Sequence, residues 1–368
     1  MKKKVNLAVA AITVAVAALT VTTISCKKKS DTTPTQTPSY FTQTNLVADT
    51  AGFNAVRIDP NIQDAWGMAV NPTGVIWITS NGPGTSLVYD TSGNQKIAPV
   101  TIPAGASNTP GTLGTPSGMV YNTTTGFVLA NSEPAKFIFV TEDGTISAWN
   151  GGAAATLIVD SSASGAVFKG LAIAPNNYGN YLYVANFEQH KVDVYNSSFK
   201  YDSLLSLSTS FNDPGIPSNY GPFNVQYIGG LLYVVYAKID PNSNDDLAGA
   251  GNGYISIFTT NGEFVKRFAS NGMLNSPWAI VQAPATFGTF ANDFLVSNFG
   301  DGTISVFDVN GNFKGQLENT SGNVISIDGI WGLLFPVNGD PAVNLNRLYF
   351  TAGPDDENHG LFGYLTIN

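Results

Sequence analysis

The stretch "FLVSNFGDGTISVFDVNGNF", residues 294–313, decides the fold. Two runs of bulky residues flank Gly300-Asp301-Gly302, and a second turn follows at Asn310-Gly311. Gly beside Asp or Asn supplies the positive φ angles that a tight hairpin requires. The pattern recurs along the chain. "VIWITSNGPGTSLVYD" begins at Val75, "FIFVTEDGTISAWN" at Phe137 and "YLYVANFEQHKVDVYN" at Tyr181. "LLYVVYAKID", continued by "GNGYISIFTTNGEF", begins at Leu231, and "RLYFTAGPDDENHGLFGYLTI" at Arg347. A short apolar segment with a small residue precedes each: "AWGMAV", "PSGMVY", "FKGLAI", "PFNVQY", "PWAIVQ" and "IWGLLF". With Gly67, Gly118, Gly170, Asn224, Ala279 and Gly332 as equivalents, the spacings are 51, 52, 54, 55 and 53.

Six copies at so regular a period mean a repeat architecture, and four short strands per copy make the unit a β-propeller blade. A β-sandwich does not repeat sixfold, and a β-helix repeats at a much shorter period. The small residue at the start of each innermost strand lets six backbones crowd around a central channel. The last copy stops at Asn368 without an outer strand, while "YFTQTNLVAD", residues 40–49, is strand-like and unassigned at the other end. The expectation is an all-β, six-bladed propeller over residues 40–368, its sixth blade completed around Asn45–Val47 by the N-terminal strand, which removes an exposed sheet edge.

Composition agrees. Only 12% of the 368 residues are charged and 11% are aromatic, with 38 Gly and 20 Pro, which suits short strands and tight turns and is too apolar for disorder. Residues 1–25 read as a secretory signal: Lys2, Lys3 and Lys4 precede an apolar run from Val5 to Ile24 that ends at the only cysteine, Cys26. The stretch resembles a bacterial lipoprotein signal, which implies that Cys26 is lipidated and becomes the mature N-terminus. A membrane-spanning helix is the plainer alternative for an apolar run of this length. Residues 26–39 are polar and Pro-broken, a flexible tether. Six of the 17 basic residues lie at or before Lys29, so residues 30–368 carry 11 basic against 26 acidic side chains, a net of −15. So acidic a surface repels nucleic acid and anionic headgroups and leaves the lipid as the only membrane contact.

"SPWAI", "VSNFGDGTISVFD", "IDGIWGLLF" and "LYFTAGPDDENHGLFGYL" resemble repeats of the NHL type. More closely, the chain resembles a family of secreted bacterial six-bladed propellers of unassigned activity, with a relative in a giant virus. The resemblance implies the fold and transfers no catalytic residues.

Propeller ligands bind where loops rim the channel. Aligning the copies places Asn81, Thr141, Asn186, Tyr236, Asn298 and Ala352 at the second-strand ends, and Trp66, Ser117, Lys169, Phe223, Trp278 and Trp331 at the entry to the innermost strands. Trp66, Trp278 and Trp331 with Asn81, Asn186 and Asn298 form a candidate rim for a glycan or another flat, polar ligand. The competing view is that Asn caps turns and Trp fills space between blades. In the fourth copy, "AKIDPNSNDDLAGAGNG" replaces a two-residue turn, and Asp240, Asn242, Asn244 and Asp245 offer oxygens of the kind Ca2+ prefers. "GPDDENHG" in the sixth copy, with Asp355, Asp356 and Glu357, is a second acidic loop on the same face. Asp64 and Asp328, joined by Glu142, are the alternative metal ligands at the channel mouth.

The two histidines, His190 and His359, fall in different copies, so a His-rich zinc site or a Ser-His-Asp triad lacks material. No G-x-S-x-G elbow or phosphate-cradling loop occurs. The sequence therefore leaves enzyme or non-enzyme open. Its first reading is a monomeric, lipid-anchored envelope propeller, in the periplasm or on the outer membrane, that binds a protein, glycan or small molecule. Its alternative is a lactonase-like, metal-dependent hydrolase or lyase at the channel mouth.

Overall fold

Alternating bulky residues become six antiparallel sheets in the computed structural model, which describes residues 38–207, 209–336 and 344–368. Cys26, the signal and nearly all of the tether lie outside the described residues. The innermost strands are Ala65–Val70, Pro116–Tyr121, Phe168–Asn176, Tyr220–Ile228, Pro277–Gln282 and Ile330–Leu334, one from each copy. Blades one, two, four and five have four strands each. The third has three among the described residues, because the chain after Tyr201 turns inward where an outer strand was expected. There Phe211 packs edge-on against Tyr183 and Phe258, at 5.8 and 5.7 Å, and fills the gap between blades three and four.

The sixth blade closes as expected. Phe41–Ala48 pairs antiparallel with Leu361–Ile367, from Phe41 opposite Ile367 to Ala48 opposite Leu361, with a bulge between Asn45 and Val47. The two-residue strand Arg57–Ile58 adds a parallel fifth member at the rim.

The glycines of the innermost strands sit where backbones nearly touch. A Cβ on Gly67 would lie 2.8 Å from the Ser117 carbonyl, and one on Gly170 would lie 2.1 Å from Asn224 Oδ1. Side-chain hydroxyls clip one blade to the next across this crowded ring. Thr79 donates to the Ser117 carbonyl at 3.0 Å, Ser117 to Phe168 at 2.6 Å, and Ser297 to Trp331 at 2.6 Å. Thr351 donates to the Trp66 carbonyl at 2.5 Å and thereby joins the last blade to the first. Between blades the packing is aromatic and apolar. Trp77 stacks on Phe137 at 4.1 Å and Tyr233 on Phe294 at 5.1 Å, contacts that contribute about 0.5–1.5 kcal/mol each beyond area burial.

Candidate site at the channel mouth

Every innermost strand carries a one-residue bulge at or near its start. The register slips after Ala65, Pro116, Phe168, Pro222, Pro277 and Ile330, opposite Ser80, Thr141, Asn186, Tyr236, Asn298 and Ala352 respectively. A bulge re-aims the side chain that follows it. The residues re-aimed here are Trp66, Ser117, Lys169, Phe223, Trp278 and Trp331, the six expected from the alignment. The register also corrects one equivalence. Ser80, not Asn81, ends the second strand of blade one, so Asn81 lies one residue into the turn.

Four of these six side chains are aromatic, and they plug the channel rather than rim it. Trp66 stacks on Trp331 at 3.8 Å, and Trp278 meets both edge-on at 6.3 and 6.0 Å. Phe223 lies 5.7 Å from Trp331, whose other side stacks on Phe299 at 3.9 Å. All three tryptophans are buried, so they do not form an open platform for a sugar face.

Lys169 is the one charged member of the ring, and it is fully buried. Its ammonium lies 2.5 Å from Glu142 and 2.6 Å from Asp245, and 5.1 Å from the centre of the Trp66 ring. Burial alone would drive a lysine toward its neutral form, but Glu142 and Asp245 outweigh it and hold the ammonium charged well past its ordinary range. Glu142 comes from the hairpin turn of blade two and also accepts Asn81 Nδ2 at 2.7 Å. Asp245 comes from the long acidic loop of blade four. Two loops far apart in sequence thus converge on one ammonium.

Three further carboxyl groups surround this pair. Asp64 is buried, and both indoles, Trp66 at 2.6 Å and Trp331 at 3.2 Å, donate to its Oδ1. Burial, then the charges of Glu357 and Glu142, push its carboxyl well above the usual range despite those two bonds. Glu357 is pushed up to about 7 by burial and by Asp245, Glu142 and Asp246, against the pull of Lys169. Asp246 is pushed up to about 6 by burial, with the Ser276 hydroxyl and Lys169 opposing. Carboxyls whose pKa values are raised by burial and by one another make this mouth a candidate functional site.

The backbone under two of these groups is strained. Asp64 has φ 47°, and Asp355, Asp356 and Glu357 follow one another at 58°, 50° and 64°. Left-handed backbone costs a non-Gly residue about 1–2 kcal/mol, and such strain collects at functional sites. The left-handed turn is held by Glu357 N–H to the Gly353 carbonyl and His359 N–H to the Pro354 carbonyl, each at 3.1 Å. His359 braces it through Asp49, 2.7 Å away, a contact that raises the imidazole pKa.

The remaining sequence candidates play other parts. Asn186 is buried, donates to Asp193 at 2.7 Å and caps its turn by accepting the Gln189 N–H at 3.3 Å. Asn298, also buried, donates to Ser305 at 3.0 Å and accepts the Asn275 N–H at 3.1 Å. Asp328 is exposed and accepts the Asp355 N–H at 2.9 Å. Asp240 accepts the backbone and side-chain N–H groups of Asn242, at 2.9 and 3.0 Å, while Asn244 stays at the exposed loop tip. Asp245 turns its Oδ1 to Lys169, so one of the four expected calcium ligands is engaged by an ammonium. Among the described residues no group of three or more His, Cys, Asp or Glu is arranged to hold a metal ion. The signal for Lys169 was present in the sequence: one cation at a position filled elsewhere by Trp, Phe and Ser.

No family model matches the sequence. Two uncharacterised proteins of Acanthamoeba polyphaga mimivirus are similar to it. One is 38% identical over 321 residues, covering 84% of this chain and 76% of its own. The other is 34% identical over 324 residues, covering 84% and 82%. Among solved structures, a Bacteroides thetaiotaomicron protein of unknown function superposes with TM-score 0.54 at 11% identity, over 89% of this chain and 76% of its own. A streptogramin B lyase gives 0.51 at 13% identity and a Xanthomonas campestris gluconolactonase 0.50 at 15%, each covering 90% of this chain and 98% of its own. At such identities these structures share the fold and nothing more. By sequence, the chain belongs to the same family as the mimivirus proteins, a family of six-bladed β-propellers.

Proposed function

We propose that the protein is a ligand-binding propeller of the cell envelope, anchored through lipidated Cys26, and that its site is the carboxyl-lined mouth around Lys169. The carrying observation is that Asp64 and Glu357, from the first and sixth blades, are both held on left-handed backbone and both kept from ready ionisation by burial and by Glu142, the partner of the buried Lys169 ammonium. A scaffold gains nothing from that arrangement, since a buried ion pair is commonly no more stabilising than well-packed apolar groups. The basic start, the apolar run and the single cysteine support the anchor.

The binding reading is tested by screening polar small molecules for thermal stabilisation of the full-length protein and of its Glu357→Gln variant. Ligands that stabilise the first and not the second are expected. Ligands that act equally on both place the site elsewhere and overturn the reading. Cys26→Ser is expected to leave the protein released or unprocessed, and a mutant that still fractionates with membranes at its mature size overturns the anchor.

A second reading, a hydrolase or lyase at the same mouth, is favoured by Glu357, whose carboxyl at about 7 suits proton transfer near neutral pH. Turnover of lactones that is lost in Glu357→Gln and indifferent to chelator would select an acid–base enzyme without metal. Turnover lost on chelation would select the metal-dependent form.

A further inference from the structure

The groups at the floor of the mouth are out of solvent reach. Trp66 and Trp331 are 1% exposed, Asp64 is 5% exposed, and the Lys169 side chain is 1% exposed. A molecule meets them only after something above them moves. Three loops bring carboxylates to this place: the blade-two hairpin with Glu142, the blade-six turn with Glu357 and the long blade-four loop with Asp245.

The first two are pinned. In blade two, Glu142 N–H donates to the Thr115 carbonyl at 3.0 Å, Asp143 accepts the Gly105 N–H at 2.6 Å, and the Thr141 and Thr145 hydroxyls close on each other at 2.7 Å. In blade six, the His359 carbonyl accepts the Asp64 N–H at 3.0 Å and the Asn358 carbonyl accepts Gln63 Nε2 at 3.1 Å. Asp355 N–H adds a third tie, to Asp328 at 2.9 Å.

The blade-four loop is tied at its base. Ile239 N–H donates to the Asn219 carbonyl at 2.9 Å, Gly249 N–H to Asn275 Oδ1 at 2.7 Å and Gly251 N–H to the Leu274 carbonyl at 2.9 Å. Asp246, on the returning limb, stands beside the Ser276 hydroxyl. The tip, residues 240–245, bonds mainly to itself: Asp240 N–H reaches the Asp245 carbonyl at 2.9 Å and Ser243 N–H the Asp240 carbonyl at 3.3 Å. Among the described residues its one hydrogen bond to another blade is Asp245 Oδ1, which accepts Lys169 Nζ at 2.6 Å. Lys169 does not depend on that bond, because Glu142 holds it from the fixed hairpin at 2.5 Å. Asp245 and the Glu357 carboxyl bear on each other with like charge, which favours lifting of the tip.

We infer that this tip is a gate over the mouth, with Asp245 as its latch and Lys169 as the fixed keeper. Opening gives up one ion pair whose carboxylate is already 59% exposed, so it is a local event far less costly than unfolding. What the opening admits rests on the mouth being the binding site; the movement itself does not.

The experiment uses full-length protein and Asp245→Asn at 0.15 M salt, with two readouts. Thermolysin cleavage before Leu247, beside the tip, reports its opening, with cleavage at Leu204, 76% exposed and remote from the loop, as the internal reference. Acrylamide quenching of indole fluorescence reports whether Trp66, Trp278 and Trp331 become accessible. Asp245→Asn is expected to speed cleavage at Leu247 about three- to thirtyfold and to increase quenching, with cleavage at Leu204 unchanged. Asp240→Asn removes a charge from the same tip that faces no other blade, and is expected to match the parent in both readouts. An unaltered rate at Leu247 in Asp245→Asn overturns the latch. Faster cleavage with unchanged quenching means that the tip moves without uncovering the mouth, and overturns the gate. Acceleration as large in Asp240→Asn reports only a loop loosened by lost charge, and overturns it too. Each of these failures leaves the mouth standing as the binding site, which falls only if the ligand screen yields nothing that depends on Glu357.

Discussion

Replacing Lys169 by Met removes the ammonium from between Glu142 and Asp245 and keeps an apolar stem against Trp66. Removing one partner of a fully buried ion pair costs about 3–5 kcal/mol. The lysine side chain is 1% exposed, but those of Glu142 and Asp245 are 24% and 59% exposed, so both carboxylates can recover much of their hydration. The cost then falls to about 2 kcal/mol near neutral pH, part of it the lost cation–π contact. Unfolding entropy of about 2.1 cal/mol/K per residue gives roughly 0.7 kcal/mol/K for the propeller, so the melting temperature is expected to fall by about 3 °C at pH 8. The assay is scanning calorimetry of the full-length protein and the variant at pH 5 and pH 8. At pH 5 Glu357 and Asp246, both of which Lys169 holds toward ionisation, protonate more readily without the lysine, and the gap is expected to shrink to about 1 °C or less. Adding Glu142→Gln and Asp245→Asn to the variant removes the stranded charges and is expected to restore most of the loss. A gap of equal size at both pH values, or a variant more stable at pH 8, would refute the account of Lys169 as the site's counter-ion.

Glu357→Gln tests the strained carboxyl separately. The folded protein holds its proton up to about 7 against an ordinary 4.5, so Glu357 lowers stability as pH rises through that interval. The variant is expected to melt higher than the parent above pH 7 and to match it below 4.5, and calorimetric curves offset equally at all pH values would contradict this. Gly170→Ala drives a methyl to within 2.1 Å of Asn224 Oδ1, where two innermost strands meet, and is expected to cost about 1–3 kcal/mol by overpacking, read from urea midpoints. An unchanged midpoint would show that the ring relaxes. Deleting residues 38–50 opens the edge at Leu361–Ile367 and is expected to produce aggregates in size-exclusion chromatography, whereas a monomer with unaltered melting would sink the closure account.

The sequence alone determined the ring. Turn pairs such as Asp301-Gly302 and strand alternation are local signals, and a period above fifty, repeated six times, admits one architecture. That the leftover strand at one end must fill the gap at the other also followed, because an open sheet edge is unstable. Even the six bulge positions were legible as the residues entering each innermost strand, although the alignment placed Asn81 where the ladder puts Ser80. What each of those six side chains does was decided only by the tertiary structure. Trp66, Trp278 and Trp331 share a position in the repeat, yet whether they rim a channel or plug it depends on how closely six strands approach. Lys169 meets Glu142 and Asp245 only because the stacking of consecutive blades brings blade three's entry beside loops from blades two and four. Asp64 is bridged by Trp331, 267 residues away in the chain. Asn186 and Asn298 are engaged in hydrogen bonds inside their own blades, whereas Lys169, Asp64 and Glu357 break the repeat. Charge and pKa depend on through-space neighbours contributed by different blades, and no local pattern along the chain encodes which of them will meet.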